Sequence, residues 1–304
     1  MGVNLENFNR IIDLQFIQEN AGYDSRGNAV NKWKSIITPR HGIKPQIEIN
    51  GTYGTAAMVL EALHITIKNL YVDLRTEPYS KVRVRAGYAN NWTQFEAEIF
   101  NMYQDSPGPD GTWVIQCKTG KVMETWLNST VSVKYDNGTM LTEILNNLNK
   151  KLGGNGVATG AKAKGLSLKA PLQFDGSVRD LLATLELRFA DRHLRAFMRG
   201  SNICAICLTE GDHINRRVLE YMSAPPQQNP GDKDGNWHTM ITAPWMPDLL
   251  PGDLLYIPSN IYRYSGSLVG GAEKTQALQI TQMSFHFGTR GSVNQMSCEG
   301  FIER

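Results

Sequence analysis

The chain has 304 residues, 41% hydrophobic and 20% charged, with a net charge of +2 from 31 Lys and Arg against 29 Asp and Glu. That length accommodates two domains, each with its own core. The near-neutral balance gives no general electrostatic pull toward nucleic acid or a membrane surface, and no run of 18 apolar residues is present to span a bilayer.

The start, MGVNLENFNR, has no basic segment followed by an apolar one, so no signal peptide is expected. Glu6 stands where a myristoylation signal needs Ser or Thr. Residues 10–18 alternate through Ile12, Leu14 and Phe16 and predict a first strand, with a hairpin loop over 19–31 and a returning strand at 32–37. The stretch 39–42 breaks the chain, and strands follow at 46–49 and 62–68.

The clearest pattern runs from Lys81 to Cys117. Val82, Val84, Ala86 and Tyr88 alternate with Lys81, Arg83 and Arg85; Phe95, Ala97 and Ile99 with Gln94, Glu96 and Glu98; Trp113, Ile115 and Cys117 with Thr112, Val114 and Gln116. A period of two is the mark of sheet with one buried face. The turn formers between the three segments make this an antiparallel meander.

After Lys121 the character changes. Leu141, Ile144, Leu145, Leu148 and Leu152 recur at helical spacing, and Gly153-Gly154 stops that helix. GGNGVATGAKAKG (153–165) reads as a loop. It lacks the phosphate-binding pattern GxxxxGK[ST] and follows a helix rather than a strand. A second helix at 177–190 has Ser177 as its N-cap and a stripe of Val178, Leu181, Leu182, Leu185 and Phe189. Sheet returns at 193–208, where a turn at Arg199–Asn202 joins two strands. Residues 212–222 fit either state, and 223–236 read as an exposed loop. WHTMIT, LLYIP and the pair 276–287 and 292–302 complete a second β unit, with a loop at 265–274. A phase slip at Thr281-Gln282 predicts a β-bulge.

Chemistry-bearing patterns are sparse. The six histidines are never three or four apart, so no metal spacing appears. There is no GxSxG nucleophile elbow. Asp73 with Glu77, and Asp248 with Asp253, read as turn residues rather than catalytic pairs. Of the four cysteines, Cys204 and Cys207 form a single CxxC inside an apolar strand, where residues three apart face opposite sides, so packing is expected. No cofactor or metal is expected. The most organised charge feature is the row Lys81, Arg83 and Arg85. Glu96 and Glu98 on the next strand neutralise it, or these five residues form a subunit or partner interface.

The segments VRVRAGYANNWTQFEAEIFN and PGPDGTWVIQCKTG, with LHITIKNL upstream, resemble the "AGY … F-x-G-x-I … GPD … dG" stretch of baseplate hub proteins of contractile-tailed bacteriophages. Asn101 stands about where that family has Gly. MITAPWMPDLLPGDLLYIPS and QITQMSFHFGTRGSVNQMSCEGF resemble the family's "P-x-L-x-PGD" strand entry and closing hairpin. The resemblance implies a mainly β chain with two tail-tube-like antiparallel barrels, over 1–122 and 193–304, flanking a small helical insert at 123–192. It further implies a non-enzymatic homotrimer. Its ring of six barrels would adapt a trimeric central spike protein to a hexameric tail tube protein and start tube assembly. Wedge proteins and the tape measure protein are further expected partners, DNA passes through the channel only transiently, and no membrane anchor is expected. The expected location is the virion tail baseplate, after assembly in the host bacterial cytoplasm. A hub or distal-tail component of another injection machine (type VI secretion or pyocin-like) and a glycan-binding or glycan-cleaving tail protein are the alternatives.

Overall fold

Alternation of apolar and polar residues builds most of this chain into one sheet. The computed structural model describes residues 10–26, 28–36, 45–54, 60–70, 74, 78–88, 91–106, 111–119, 121–200, 202–208, 211–219, 227–229, 238–258, 276–289 and 294–302. The first unit contains β1 (Arg10–Tyr23), β2 (Ala29–Ile36), β3 (Gln46–Tyr53), β4 (Leu60–Lys68), β5 (Lys81–Tyr88), β6 (Asn91–Gln104) and β7 (Trp113–Thr119). The last unit contains β13 (Arg216–Val218), β14 (Gln227–Asn229), β15 (His238–Ala243), β16 (Leu254–Ile257), β17 (Gln276–Gly288) and β18 (Asn294–Ile302). The predicted break at 39–42, the turns at 89–90 and 107–110 and the loop at 265–274 lie outside the described residues.

These two units form one 13-stranded sheet in the order β14-β15-β18-β17-β3-β4-β7-β6-β5-β1-β2, with β16 and β13 branching from β17. The junction is an antiparallel ladder in which Met283 opposes Tyr53 and Phe287 opposes Ile49. One hydrophobic core serves both, taking Ile12, Phe16, Val84 and Trp113 from the first unit and Ile241, Trp245, Leu278 and Phe287 from the last. At the seam, Trp245 stacks on Phe285 at 4.7 Å and lies 4.7 Å from Phe287, which also meets Tyr88 edge-on at 5.6 Å. Asn294 fastens the seam: its side-chain amide donates to Tyr88 Oη at 2.7 Å, and its Oδ1 accepts from the backbone N–H of Trp245 at 3.2 Å. Gly51 is required there, because a Cβ would stand 2.3 Å from the Phe285 ring.

The meander forms as its alternation predicts. Val82, Val84, Ala86, Trp113, Ile115 and Cys117 are buried, and Lys81, Arg83 and Arg85 lie on the other face. The register of β17 against β18 shifts between Ile280 and Gln282, which puts the bulge at Thr281.

The insert is larger than its helices suggested. It comprises α1 (Lys121–Asn128), β8 (Thr130–Tyr135), α2 (Leu141–Leu152), β9 (Gly156–Thr159), α3 (Ala161–Lys164), β10 (Leu172–Ser177), α4 (Val178–Arg188), β11 (Leu194–Arg199) and β12 (Asn202–Cys207). Gly153 ends α2 in the left-handed region at φ 69°, and the Ser177 hydroxyl accepts from the Asp180 N–H to cap α4. Outside the insert, the loops expected at 19–31 and 223–236 hold strand residues, since β1 runs to Tyr23, β2 begins at Ala29 and β14 covers Gln227–Asn229. Two expectations for the insert also need correction. The stretch 153–165 is not a loop: Gly156–Thr159 pairs in parallel with β12, and a short helix follows. The hairpin at 194–207 belongs to the insert, since among the described strands β12 pairs with β11 and β9 alone. Leu194, Ala196, Met198, Ile203, Ala205 and Cys207 complete the core that Leu145, Leu148, Leu181 and Leu185 begin. The insert therefore ends near Leu208, not at residue 192.

Candidate functional site

The charged row lies on the solvent face of β5, and the structure divides its members among different partners. Arg83 stands opposite Glu96 in the register. Its Nε donates to Glu96 Oε1 at 2.7 Å, and its Nη1 donates to Gln15 Oε1 at 3.2 Å. Lys81 is opposite Glu98, but its ammonium instead meets Glu19 of β1 at 2.5 Å. Arg85 opposes Gln94 and stacks its guanidinium on Trp92, 4.0 Å from the ring centroid. Arg83 lies over Trp33 of β2 at 5.1 Å. Cross-strand neutralisation thus accounts for Arg83 with Glu96, while Arg85 and Lys81 take partners that charge alternation alone does not reveal.

The outcome is a diagonal stripe, Trp33–Arg83–Arg85–Trp92, across four adjacent strands. Both tryptophans stay largely open, Trp33 at 45% and Trp92 at 43% exposure. Phe100, pushed outward where β6 shifts register between Ile99 and Asn101, and Tyr103 extend the exposed aromatics along β6. Tryptophan and arginine are the residues that dominate binding energy at protein interfaces. A sequence signal existed: Trp33 and Trp92 both fall in the polar phase of their strands.

Two buried carboxylates, Asp253, which the sequence reads as a turn residue, and Asp212, join the insert to the sheet. Asp253, fully buried, takes a two-pronged contact from Arg199 of β11 at 2.7 and 3.1 Å. It also accepts from the backbone and side chain of Asn215 and from the Leu250 N–H. Asp212 accepts from the N–H groups of Lys162, Ala163 and Cys207, so a carboxylate of the chain itself occupies the start of α3. Gln279 of β17 donates to the Cys207 and Asp212 carbonyls. A small second core, with Phe197, Cys204 and Ile206, fills the same junction. Gly252 makes room for it at φ 90°, since a Cβ there would meet Phe197 at 2.6 Å.

Cys204 and Cys207 face opposite sides of β12, the first in the junction and the second in the insert core. Burial pushes the Cys117, Cys204 and Cys298 thiols up to about 12, far from the thiolate range that nucleophilic chemistry needs. Asp248 pairs with Arg217 at 2.9 Å and Asp253 with Arg199, so these two do not form a carboxylate pair. Asp73 and Glu77 lie outside the described residues. Among the described residues no group of three or more His, Cys, Asp or Glu is placed to hold a metal ion, and no helix is long and apolar enough to cross a membrane.

No protein-family profile matches the chain, and no curated protein matches it in sequence. Solved structures do match. The c3393 protein of E. coli superposes with a TM-score of 0.52 at 10% identity, over 86% of this chain and 75% of that one. It is described as a type VI secretion component with structural similarity to the T4 bacteriophage tail proteins gp27 and gp5. The 43 kDa tail protein of prophage MuSo2 from Shewanella oneidensis gives 0.52 at 9% identity, over 96% of this chain and 97% of that one. The fold is that of phage tail proteins. A tail protein from Neisseria meningitidis MC58 agrees, with a TM-score of 0.51 at 8% identity over 97% of this chain and 96% of its own. The hub resemblance read from the motifs is thus met at the level of fold. In this tail-protein fold the stripe lies on the first unit, and the Asp212 and Asp253 junction holds the insert.

Proposed function

We propose that this chain is a structural hub of a phage tail or a related injection machine. In this reading three copies form a ring around a central channel, with one side matched to a trimeric spike and the other to a hexameric tube that the ring initiates. The observation that carries it is the tail-protein fold over nearly the whole chain, 96% in the match to the prophage tail protein. The architecture supports it physically. The two β units present repeated, sheet-built surfaces, and among the described residues β2 and β14 pair on one side only, at the ends of the long sheet; closed rings of copies use such edges. The likeness to a type VI secretion component supports wording the machine broadly. The chain acts by placing binding surfaces and performs no catalysis. Its location is the tail baseplate of the virion, and DNA and the tape measure protein pass along the channel.

The stripe Trp33–Arg83–Arg85–Trp92 is the proposed subunit contact, with Lys81, Glu96 and Glu98 at its polar margin. Analytical ultracentrifugation of the purified chain at micromolar concentration tests both statements. A species of three times the monomer mass is expected, and a strict monomer that does not respond to an added tube or spike protein overturns the hub reading. Reversing Arg83 and Arg85 together to Glu is expected to dissociate the trimer. An unchanged trimer removes the stripe from the interface and leaves the hub reading standing.

A further inference from the structure

Among the strand edges of the insert, that of β8 lies beside a groove. Among the described residues, β8 pairs with β10 on one side and with no other strand. In an antiparallel pair, the N–H and C=O of one residue point to the same side and successive residues alternate. The Val178 N–H donates to the Ser129 carbonyl at 3.0 Å. With Thr130 opposite Ser177 in the register, the positions bonded to β10 are Val131, Val133 and Tyr135. Thr130, Ser132 and Lys134 therefore turn their backbone groups away from β10. A separate contact agrees: Lys151 of α2 donates to the Ser132 carbonyl at 3.1 Å from the open side.

Beside this edge lies a groove of about 350 Å³. Trp126 of α1, Val131 and Leu152 form its apolar lining, and Lys151 stands over it. Trp126 and Leu152 are only half-buried against the insert core. Thr130, Ser132, Lys134 and Lys151 are all exposed. A free backbone edge next to an apolar groove is the arrangement that adds an extended peptide as a further strand, the backbone giving affinity and the groove giving selectivity.

We propose that the open edge of β8 is a docking site for an extended, acidic peptide segment of a partner protein. The charge at the site chooses the occupant. Lys134 and Lys151 flank the edge, so carboxylates on an incoming strand are attracted. A second copy of β8 would instead bring like charges together across the new pair. The occupant's amides would bond Thr130, Ser132 and Lys134, one apolar side chain would rest on Trp126 and Leu152, and an acidic neighbour would draw the Lys151 ammonium off the Ser132 carbonyl. This site does not depend on the hub reading.

The test uses the full chain and a fluorescein-labelled eight-residue peptide alternating valine and glutamate, followed by fluorescence anisotropy. Saturable binding is expected. It should weaken at least fivefold for the same peptide N-methylated at alternate amides, which leaves charge intact and removes strand donors. Lys151→Glu should weaken it at least fivefold as well. Ser132→Pro removes an N–H that β10 does not use, so the β8–β10 ladder survives, and binding should be lost. If that variant fails to fold by circular dichroism, the N-methylated peptide and Lys151→Glu still decide the matter on folded protein. No saturation at millimolar peptide overturns the proposal. So does an affinity indifferent to N-methylation or to Lys151→Glu, or displacement of the peptide by an oligonucleotide of equal charge.

Discussion

The large sheet and the insert are made of the same kinds of residue but connected in opposite ways. The sheet closes its seam by pairing Phe287 with Ile49, partners at opposite ends of the chain. Among the described strands the insert pairs only those from its own stretch, β8 with β10 and β12 with β9 and β11. Local pairing closes short loops, whereas the seam must first close a very long one. The comparison teaches that the insert holds its structure by its own contacts, while the sheet depends on its two units meeting correctly.

Removing the aromatic hub of the seam should break the sheet most severely. Trp245→Ala leaves a void beside Phe285 and Phe287 and is expected to cost about 3–5 kcal/mol, read as a lower urea midpoint; a loss under about 1 kcal/mol would show that the two units are not held by this cluster. Next is the junction between the two regions. Asp253→Ala leaves Arg199, a largely buried cation, without its partner and is expected to cost about 3 kcal/mol. Calorimetry should then resolve separate transitions for sheet and insert. Iodoacetamide should label Cys204, which lies in the junction, before Cys117 or Cys298. Equal protection of all three thiols would argue that the regions remain coupled.

Smaller effects sharpen the contrast within one region. Ser177→Ala removes the cap of α4 and should cost about 1 kcal/mol. Faster hydrogen exchange is expected over residues 178–188 and not in β17. At the surface, Glu96→Gln should change monomer stability by no more than a few tenths of a kcal/mol, because Arg83 and Glu96 are both partly exposed and screened by water. A loss above about 1 kcal/mol would show a buried role for the pair.

The sequence made the local periodicities plain. The meander of β5, β6 and β7, helices α2 and α4, the Ser177 cap and the bulge at Thr281 follow from side-chain alternation, turn formers and phase. The seam was not legible, because two strands that each bury one face give no sign of which distant edge they will join. The strand Gly156–Thr159 was hidden for a different reason. Only four residues long, with Val157 and Thr159 separated by Ala158 and set among glycines that read as loop, it shows no strand pattern until the parallel pairing with β12 is seen. The junction carboxylates were opaque too. Asp253 sits in a Pro-Gly-Asp turn, a setting that ordinarily reads as solvent-exposed, and only the fold buries it. At the stripe the charges were legible while their stacking partners were not, since Trp33 reaches Arg83 across an intervening strand.

The self-contained pairing of the insert has an evolutionary consequence. Its strands contribute nothing to the register of the long sheet, so its length and outer surface are free to diverge while Arg199, Asp212 and Gln279 keep it anchored. Natural variation in related chains should therefore collect in the outward parts of the insert, and swapping that segment between them should exchange partner choice while preserving the assembly around it.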